Sequence, residues 1–321
     1  MTIRWGILAT GGIAARFVED LKLLPEADIV AVGSRTTDAA RAFADHHGIP
    51  RAHGSWQALA DDPEVDVVYV ATPHSAHHDA TTVCLTAGKP VLCEKPFTLD
   101  VATTQDLIAL ARAKGVFLME AMWMRTNPVI RRIVELVADG AIGDVRHVTA
   151  DFGVQGPFPE GHRMRAPALG GGALLDLGVY PVTFAQVFLG APDYVTAWAS
   201  LLPEGTDENT GMVFGYRGGA VATLHCGLTG ETGQRAVITG TQGRIEVERL
   251  FFCPSSYTLV RAGVATPERL DIRGNGMGYE AEEVMRCLNE GLLESPLIPH
   301  SETLAVMSTL DAVRAQIGVR Y

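Results

Sequence analysis

Between Ile3 and Glu120 short apolar runs alternate with stretches of helical spacing, and this alternation limits what the chain can fold into more than any other feature. Ile3 to Leu8, Ile29 to Val32, Val65 to Ala71, Val91 to Cys93 and Val116 to Glu120 read as strands. Between them Ile13, Phe17, Leu21 and Leu24 recur at helical spacing, and 38–47, 75–87 and 101–114 read as helices. The run Val-Asp-Val-Val-Tyr-Val-Ala at 65–71 is almost continuously apolar, as a strand covered on both faces requires. Strands joined through helices imply βαβ units, a parallel sheet and right-handed crossovers.

Near residue 122 the pattern changes. One helix at 128–138 leads into strands at 145–152, 194–202, 211–216, 220–228, 235–239, 244–248 and 256–260. Turn groups such as Arg217-Gly218-Gly219 and Thr241-Gln242-Gly243 separate them, which predicts a mainly antiparallel sheet. Ala173 to Phe188 is a helix among these strands, and helices at 279–290 and 301–317 close the chain. The expected architecture is α/β: a parallel-sheet domain over 1–122, then an α+β domain with a mainly antiparallel sheet over 123–321. The last helix has the option of packing back on the first domain.

Composition narrows the function classes. A formal net charge of −11 disfavours polyanionic partners, so neither nucleic acid nor an anionic membrane is expected. No uninterrupted run reaches the roughly 18 apolar residues of a membrane span, and no secretory leader pattern opens the sequence. The five cysteines (Cys84, Cys93, Cys226, Cys253, Cys287) form no CxxC pair and read as reduced, mostly buried thiols of a cytoplasmic protein.

The loop after the first strand reads Ala9-Thr10-Gly11-Gly12-Ile13-Ala14, which aligns with G-x-G-x-x-G/A except that alanine replaces the first glycine. A pyrophosphate needs backbone without a Cβ close by and a helix N-terminus offering N–H groups, and this loop supplies both. After the second strand come Ser34 and Arg35, where an acid would accept the ribose hydroxyls of NAD. Hydrogen-bond donors and a positive charge suit the 2′-phosphate of NADP instead, so NADP is expected over NAD.

Lys95 follows the apolar run 91–93 and precedes Pro96, which puts it at the strand end that faces a nicotinamide. Asp176 and Tyr180 lie four apart after the triplet Gly170-Gly171-Gly172 and share a face if the stretch is helical. A phenol titrates near pKa ~10, so acid–base work at neutral pH needs a cation nearby such as Lys95; packing in the core is the other reading of Tyr180. Pro181 is awkward for an uninterrupted helix and leaves a kink or a late start open. His74, His77 and His78 complete no metal-ligand spacing, so no metal is expected.

Ala-Thr-Pro-His at 71–74, Glu94-Lys95-Pro96 and the Asp176/Tyr180 segment together resemble the glucose–fructose oxidoreductase / inositol dehydrogenase / MocA (Gfo/Idh/MocA) family. Within it, 119–125 and 170–181 are similar to the branch of dimeric dihydrodiol dehydrogenases and NADP-linked D-xylose dehydrogenases. Tyr180 in place of histidine fits that branch, and Met124 in place of threonine departs from it. The resemblance implies an oxidoreductase that moves a hydride between the nicotinamide and a CH–OH or C=O carbon of a sugar, polyol or cyclic diol. It implies that Lys95 and Tyr180 act at that carbon with Asp176 in support. Thr72, Pro73, His74, His77 and Glu94 would join the loop residues around the cofactor, and Trp123 and Phe152 would line the substrate pocket. Arg163, by its place before the glycine triplet, either reaches a substrate hydroxyl or belongs to a surface loop. The resemblance also implies that 1–122 is a Rossmann NADP-binding domain, that 123–321 is an α+β domain with an open, mainly antiparallel sheet, and that the protein is a homodimer through that C-terminal sheet. Two other classes stay open at this point: a glycoside hydrolase using NAD for transient oxidation, and a non-catalytic NADP-responsive binding protein.

Overall fold

A computed structural model describes residues 2–321. Two compact units divide the chain: residues up to Thr126 together with Ile272–Leu304, and Asn127–Asp271 together with Ala305–Tyr321. A single cut near residue 122 does not describe this arrangement, because the chain returns to the first unit after the second sheet.

The first unit carries six parallel strands: β1 (Ile3–Leu8), β2 (Ala27–Gly33), β3 (Arg51–His53), β4 (Val67–Val70), β5 (Val91–Glu94) and β6 (Leu118–Ala121), in the order β3-β2-β1-β4-β5-β6. This is the doubly wound order of dinucleotide-binding sheets. Its direction of growth reverses between β1 and β4, and the crevice beyond the carboxyl ends of those strands is where such sheets take ligands. Helices α1 (Gly12–Leu21), α2 (Thr37–His47), α3 (Trp56–Ala60), α4 (His77–Thr86) and α5 (Val101–Lys114) link the strands. Leu8, Val68, Val70, Val91, Cys93 and Leu118 belong to one buried cluster with Leu59, Leu85 and Leu107 from the helices. The returning helix Gly278–Asn289 is anchored by one carboxylate. Asp20, buried on α1, accepts from the N–H groups of Asn275 (2.7 Å), Met277 (2.7 Å) and Gly278 (3.1 Å) and so caps that helix.

In the second unit, α6 (Pro128–Ala138) precedes an eight-stranded sheet. Its strands are β7 (Val145–Gly153), β8 (Tyr194–Leu201), β9 (Asp207–Gly215), β10 (Val221–Gly227), β11 (Ala236–Gly240), β12 (Gly243–Val247), β13 (Ser256–Arg261) and β14 (Val264–Arg269). They lie in the order β14-β13-β12-β11-β7-β10-β9-β8, antiparallel except for β7 beside β10. Met212, Phe214, Ala222, Leu224, Val148, Ala150 and Ile238 point to the buried face, on which α7 (Val179–Leu189) packs. Tyr194, Trp198 (73% exposed), Val213 and Val221 are exposed on the same sheet. Its β8 edge is closed by Gln316, whose side-chain amide donates to the Val195 carbonyl (2.9 Å) and accepts from the Ala197 N–H (3.0 Å).

By length and composition Pro167–Leu189 is apolar enough to cross a bilayer, an exception to the sequence-based expectation of no such stretch. Most of it (78% of the most apolar window) is buried inside the protein, so the apolarity is that of a core helix.

Candidate active site

The carboxyl edge of the first sheet is built largely from backbone. Ala9 holds a φ of +123°, left-handed backbone in which a side chain costs about 1–3 kcal/mol, and its N–H donates to the Gly33 carbonyl (3.0 Å). Gly11 caps α1 in extended backbone, with no side chain accepting from the first turn and no acid within it. A Cβ built on Gly11 or Gly12 would meet nothing within 4 Å. The first N–H groups of α1 therefore open onto free space, which is what an incoming pyrophosphate requires. Ile13 is exposed beside them and Ala14 is buried against the sheet. Ser34 stays in register through its N–H to the His53 carbonyl (3.1 Å), with Arg35 exposed immediately after it.

At the ends of β4 and β5 side chains join the backbone. The Thr72 hydroxyl is buried and has no hydrogen-bond partner among the described residues. His77 is fully buried between two loops: Nε2 faces the Thr72 carbonyl (2.9 Å) and Nδ1 the Pro96 carbonyl (2.8 Å). Burial lowers its pKa to about 3, with His74 adding to the effect, so at neutral pH only one contact is an N–H···O bond and the tautomer decides which. His74 is buried beside it, the rings 5.7 Å apart, and Pro73 is exposed.

Glu94 is buried under the half-buried Lys95. Its carboxyl accepts from the Tyr69 hydroxyl (2.5 Å) and from the Lys95 N–H (3.1 Å), and the Tyr69 ring stacks on Phe17 of α1 at 3.8 Å. Burial raises the pKa of Glu94 and the charge of Lys95 pulls it back. Glu120, buried nearby, is pushed up to about 7 by the same desolvation. Among the described residues no group of three His, Cys, Asp or Glu side chains is placed to hold a metal ion.

The second unit carries its own cluster of polar and aromatic side chains. Leu174–Gly178 forms a π-helical turn that runs without a break into α7 at Val179, so Pro181 follows a widened turn, which accommodates its ring and its missing N–H where a regular α-helix would not. Asp176 and Tyr180 are both buried, and the Arg163 guanidinium pairs with Asp176 at 3.0 Å. Phe152 lies 5.7 Å from the Tyr180 ring. The structure thus gathers Asp176, Tyr180, Phe152 and Arg163, and separately Ala9–Ala14, Ser34, Arg35, Thr72–His77 and Glu94–Lys95. Trp123, grouped with Phe152 in the sequence, belongs to the first unit, where a Cβ on Gly276 would touch its ring at 3.6 Å.

Sequence reasoning missed Phe252. It stacks on Phe152 at 4.3 Å and lies 5.1 Å from Tyr180, while its neighbour Phe251 turns into the core against Phe184. A pair of phenylalanines in a loop outside any strand was the available signal.

The family model for the NAD-binding Rossmann-fold oxidoreductases matches residues 3–122, and that for the GFO/IDH/MocA C-terminal domain matches 130–246. The chain belongs to the Gfo/Idh/MocA family. It is an NAD(P)-dependent oxidoreductase by that membership. Within the family it is 40% identical to the trans-1,2-dihydrobenzene-1,2-diol dehydrogenase of Xenopus laevis and 36% identical to that of Mus musculus. Both likenesses span 100% of this chain, and 100% and 98% of those proteins. Among solved structures, a 3-ketoreductase from Actinomadura kijaniata in complex with NADP and TDP-benzene superposes with a TM-score of 0.89 at 29% identity, over 99% of this chain and 98% of that one. The aldose–aldose oxidoreductase of Caulobacter crescentus gives 0.88 at 25% identity, over 98% and 97%.

Proposed function

We propose that this protein is an NADP-linked dehydrogenase/reductase acting on a CH–OH or C=O carbon of a cyclic diol or a sugar. The observation that carries the reading is the second-unit cluster. A buried phenol, Tyr180, lies beside the stacked rings of Phe152 and Phe252, one turn after a carboxylate that Arg163 holds. Aromatic faces suit the apolar side of an arene diol or a sugar ring, and the hydroxyl reaches its polar side. Dihydrodiol dehydrogenases as full-length relatives support the diol class, and the Caulobacter enzyme supports the sugar class.

Bound NADP⁺ supplies the hydride acceptor at C4 of its nicotinamide. Gly11, Gly12 and the open α1 N-terminus would take the pyrophosphate, the Thr72 hydroxyl would gain a partner, and Arg35 with Ser34 would hold the 2′-phosphate. In oxidation Tyr180 accepts the substrate hydroxyl proton, and in reduction it returns one to the carbonyl oxygen. The family resemblance assigns Lys95 and Asp176 to support of the same proton transfer. A homodimer through the sheet face that exposes Tyr194, Trp198, Val213 and Val221 belongs to the same proposal, and sedimentation equilibrium would return twice the chain mass.

The test is absorbance of the reduced nicotinamide with NADP⁺ or NAD⁺ and a panel of trans-diols, aldoses and inositols. Turnover with NADP⁺ and one substrate group is expected, and Lys95→Met and Tyr180→Phe should each lower kcat by roughly 10²-fold or more. Near-parent turnover in both variants would sink the assignment.

A further inference from the structure

The glycine turn ahead of Asp176 and Tyr180 is clamped from two sides. On one side the N–H groups of Gly170, Gly171 and Gly172 donate to the carbonyls of Pro167 (2.9 Å), Ala166 (3.0 Å) and Met164 (2.8 Å). On the other stand two residues remote in sequence. The Tyr321 hydroxyl donates to the Gly171 carbonyl (2.7 Å), and the Arg314 guanidinium lies 5.3 Å from the centre of its ring. Asp207, fully buried at the start of β9, accepts the Leu174 N–H (2.7 Å) and the Thr210 hydroxyl (2.7 Å) on Oδ2. Its Oδ1 faces Gly172 so closely that a Cβ there would lie 2.3 Å away.

We propose that Asp207 and Tyr321 are positioning residues of the reaction: they hold the turn from which residues 174–180 depart and so fix the directions of the Tyr180 hydroxyl and the Asp176 carboxylate. Leu174, whose N–H Asp207 accepts, is the first residue of the π-helical turn. Such a turn is rare, carries one more residue than an α-turn and has little to hold it by itself. Losing that extra residue swings everything beyond it by about 100°, the angle per residue of an α-helix. Asp176 lies inside the turn and Tyr180 just after it, so their relative direction depends on the turn keeping its width. A buried carboxylate oxygen with two donors, at the first residue of the turn, resists that relaxation. Tyr321 does the same two peptides upstream, where it holds the carbonyl of the peptide whose N–H, that of Gly172, donates to the Met164 carbonyl.

The inference rests on the reading of Tyr180 as proton acceptor and donor. It is tested in the full chain with NADP⁺ and trans-cyclohexane-1,2-diol as probe, with calorimetric nucleotide binding used to count folded sites. The variants are Tyr321→Phe, Asp207→Asn and Asp207→Ala, alone and combined with Tyr180→Phe. Tyr321→Phe should lower kcat per folded site about fivefold, the scale of one hydrogen bond, with the nucleotide Kd at its parent value. Asp207→Ala should lose roughly tenfold or more, and Asp207→Asn should recover part of that, because its amide oxygen still accepts from Leu174. In the Tyr180→Phe background Tyr321→Phe should have little further effect on the residual rate, since both changes act through the same group. Unchanged kcat per folded site in Tyr321→Phe, or the same proportional loss in both backgrounds, overturns the positioning role. Parent-like turnover in Tyr180→Phe itself would sink the reading of Tyr180 and this role with it.

Discussion

Two glycine-rich turns each precede a helix in this protein, and they use glycine for opposite purposes. At Gly11 and Gly12 the missing side chains leave open space: a Cβ would meet nothing within 4 Å, and the N-terminus of α1 faces out of the fold. At Gly171 and Gly172 the missing side chains leave room for the protein itself. A Cβ on Gly171 would lie 2.6 Å from the Arg163 carbonyl oxygen, and one on Gly172 would lie 2.3 Å from Asp207 Oδ1. The first turn leaves its backbone open; the second is a filled joint. One residue type thus leaves backbone exposed in one unit and makes room for packing in the other.

The largest effect that would break this contrast is Gly172→Ala. Gly172 holds φ +106°, where an alanine is strained, and its new Cβ would press on a carboxylate that Leu174 and Thr210 already pin. Strain and overpacking together should cost about 4 kcal/mol and lower the melting temperature of the second unit on the order of 10 °C. Calorimetric scanning measures it. A shift of a degree or less would mean that the joint has slack and that Asp207 does not hold it.

Both turns are visible in the sequence as glycines before a helix, but which is open and which is filled is not. That distinction depends on Asp207, which sits in the polar run Asp207-Glu208-Asn209-Thr210 ahead of any apolar alternation, so the start of β9 was placed four residues late. The parallel sheet was legible because strands covered on both faces must be almost continuously apolar, as 65–71 is. Strands β3 and β14 were not, since β3 is a half-buried edge of three residues and β14 is exposed along its whole length. Asp176 and Tyr180 could be paired by spacing alone. The wide turn between them had only Pro181 as its signal, and nothing in Leu-Leu-Asp-Leu-Gly specifies an extra residue per turn. Phe252 escaped because alternation assigns a facing only within an element, and it lies between β12 and β13.

Gly11→Ala sharpens the contrast from the other side and should be the smaller change. Gly11 has φ −83° and ψ 174°, extended backbone that alanine adopts without strain, and its Cβ would touch no protein atom. The melting temperature should therefore stay within about a degree of the parent, since a surface change of this kind is worth less than ~0.5 kcal/mol. Nucleotide binding should respond instead. If the pyrophosphate lies against this backbone, a methyl group intrudes where the phosphate oxygens approach the first N–H groups of α1, and loss of one such contact corresponds to about tenfold in Kd. Titration calorimetry with NADP⁺ reads the affinity, and the same sample scanned without nucleotide reads the stability. An unchanged Kd would show that the open space at Gly11 is not the phosphate cradle. A large fall in stability would show that it is not open. Only weakened binding on an unweakened fold fits a turn whose glycines are kept for a ligand.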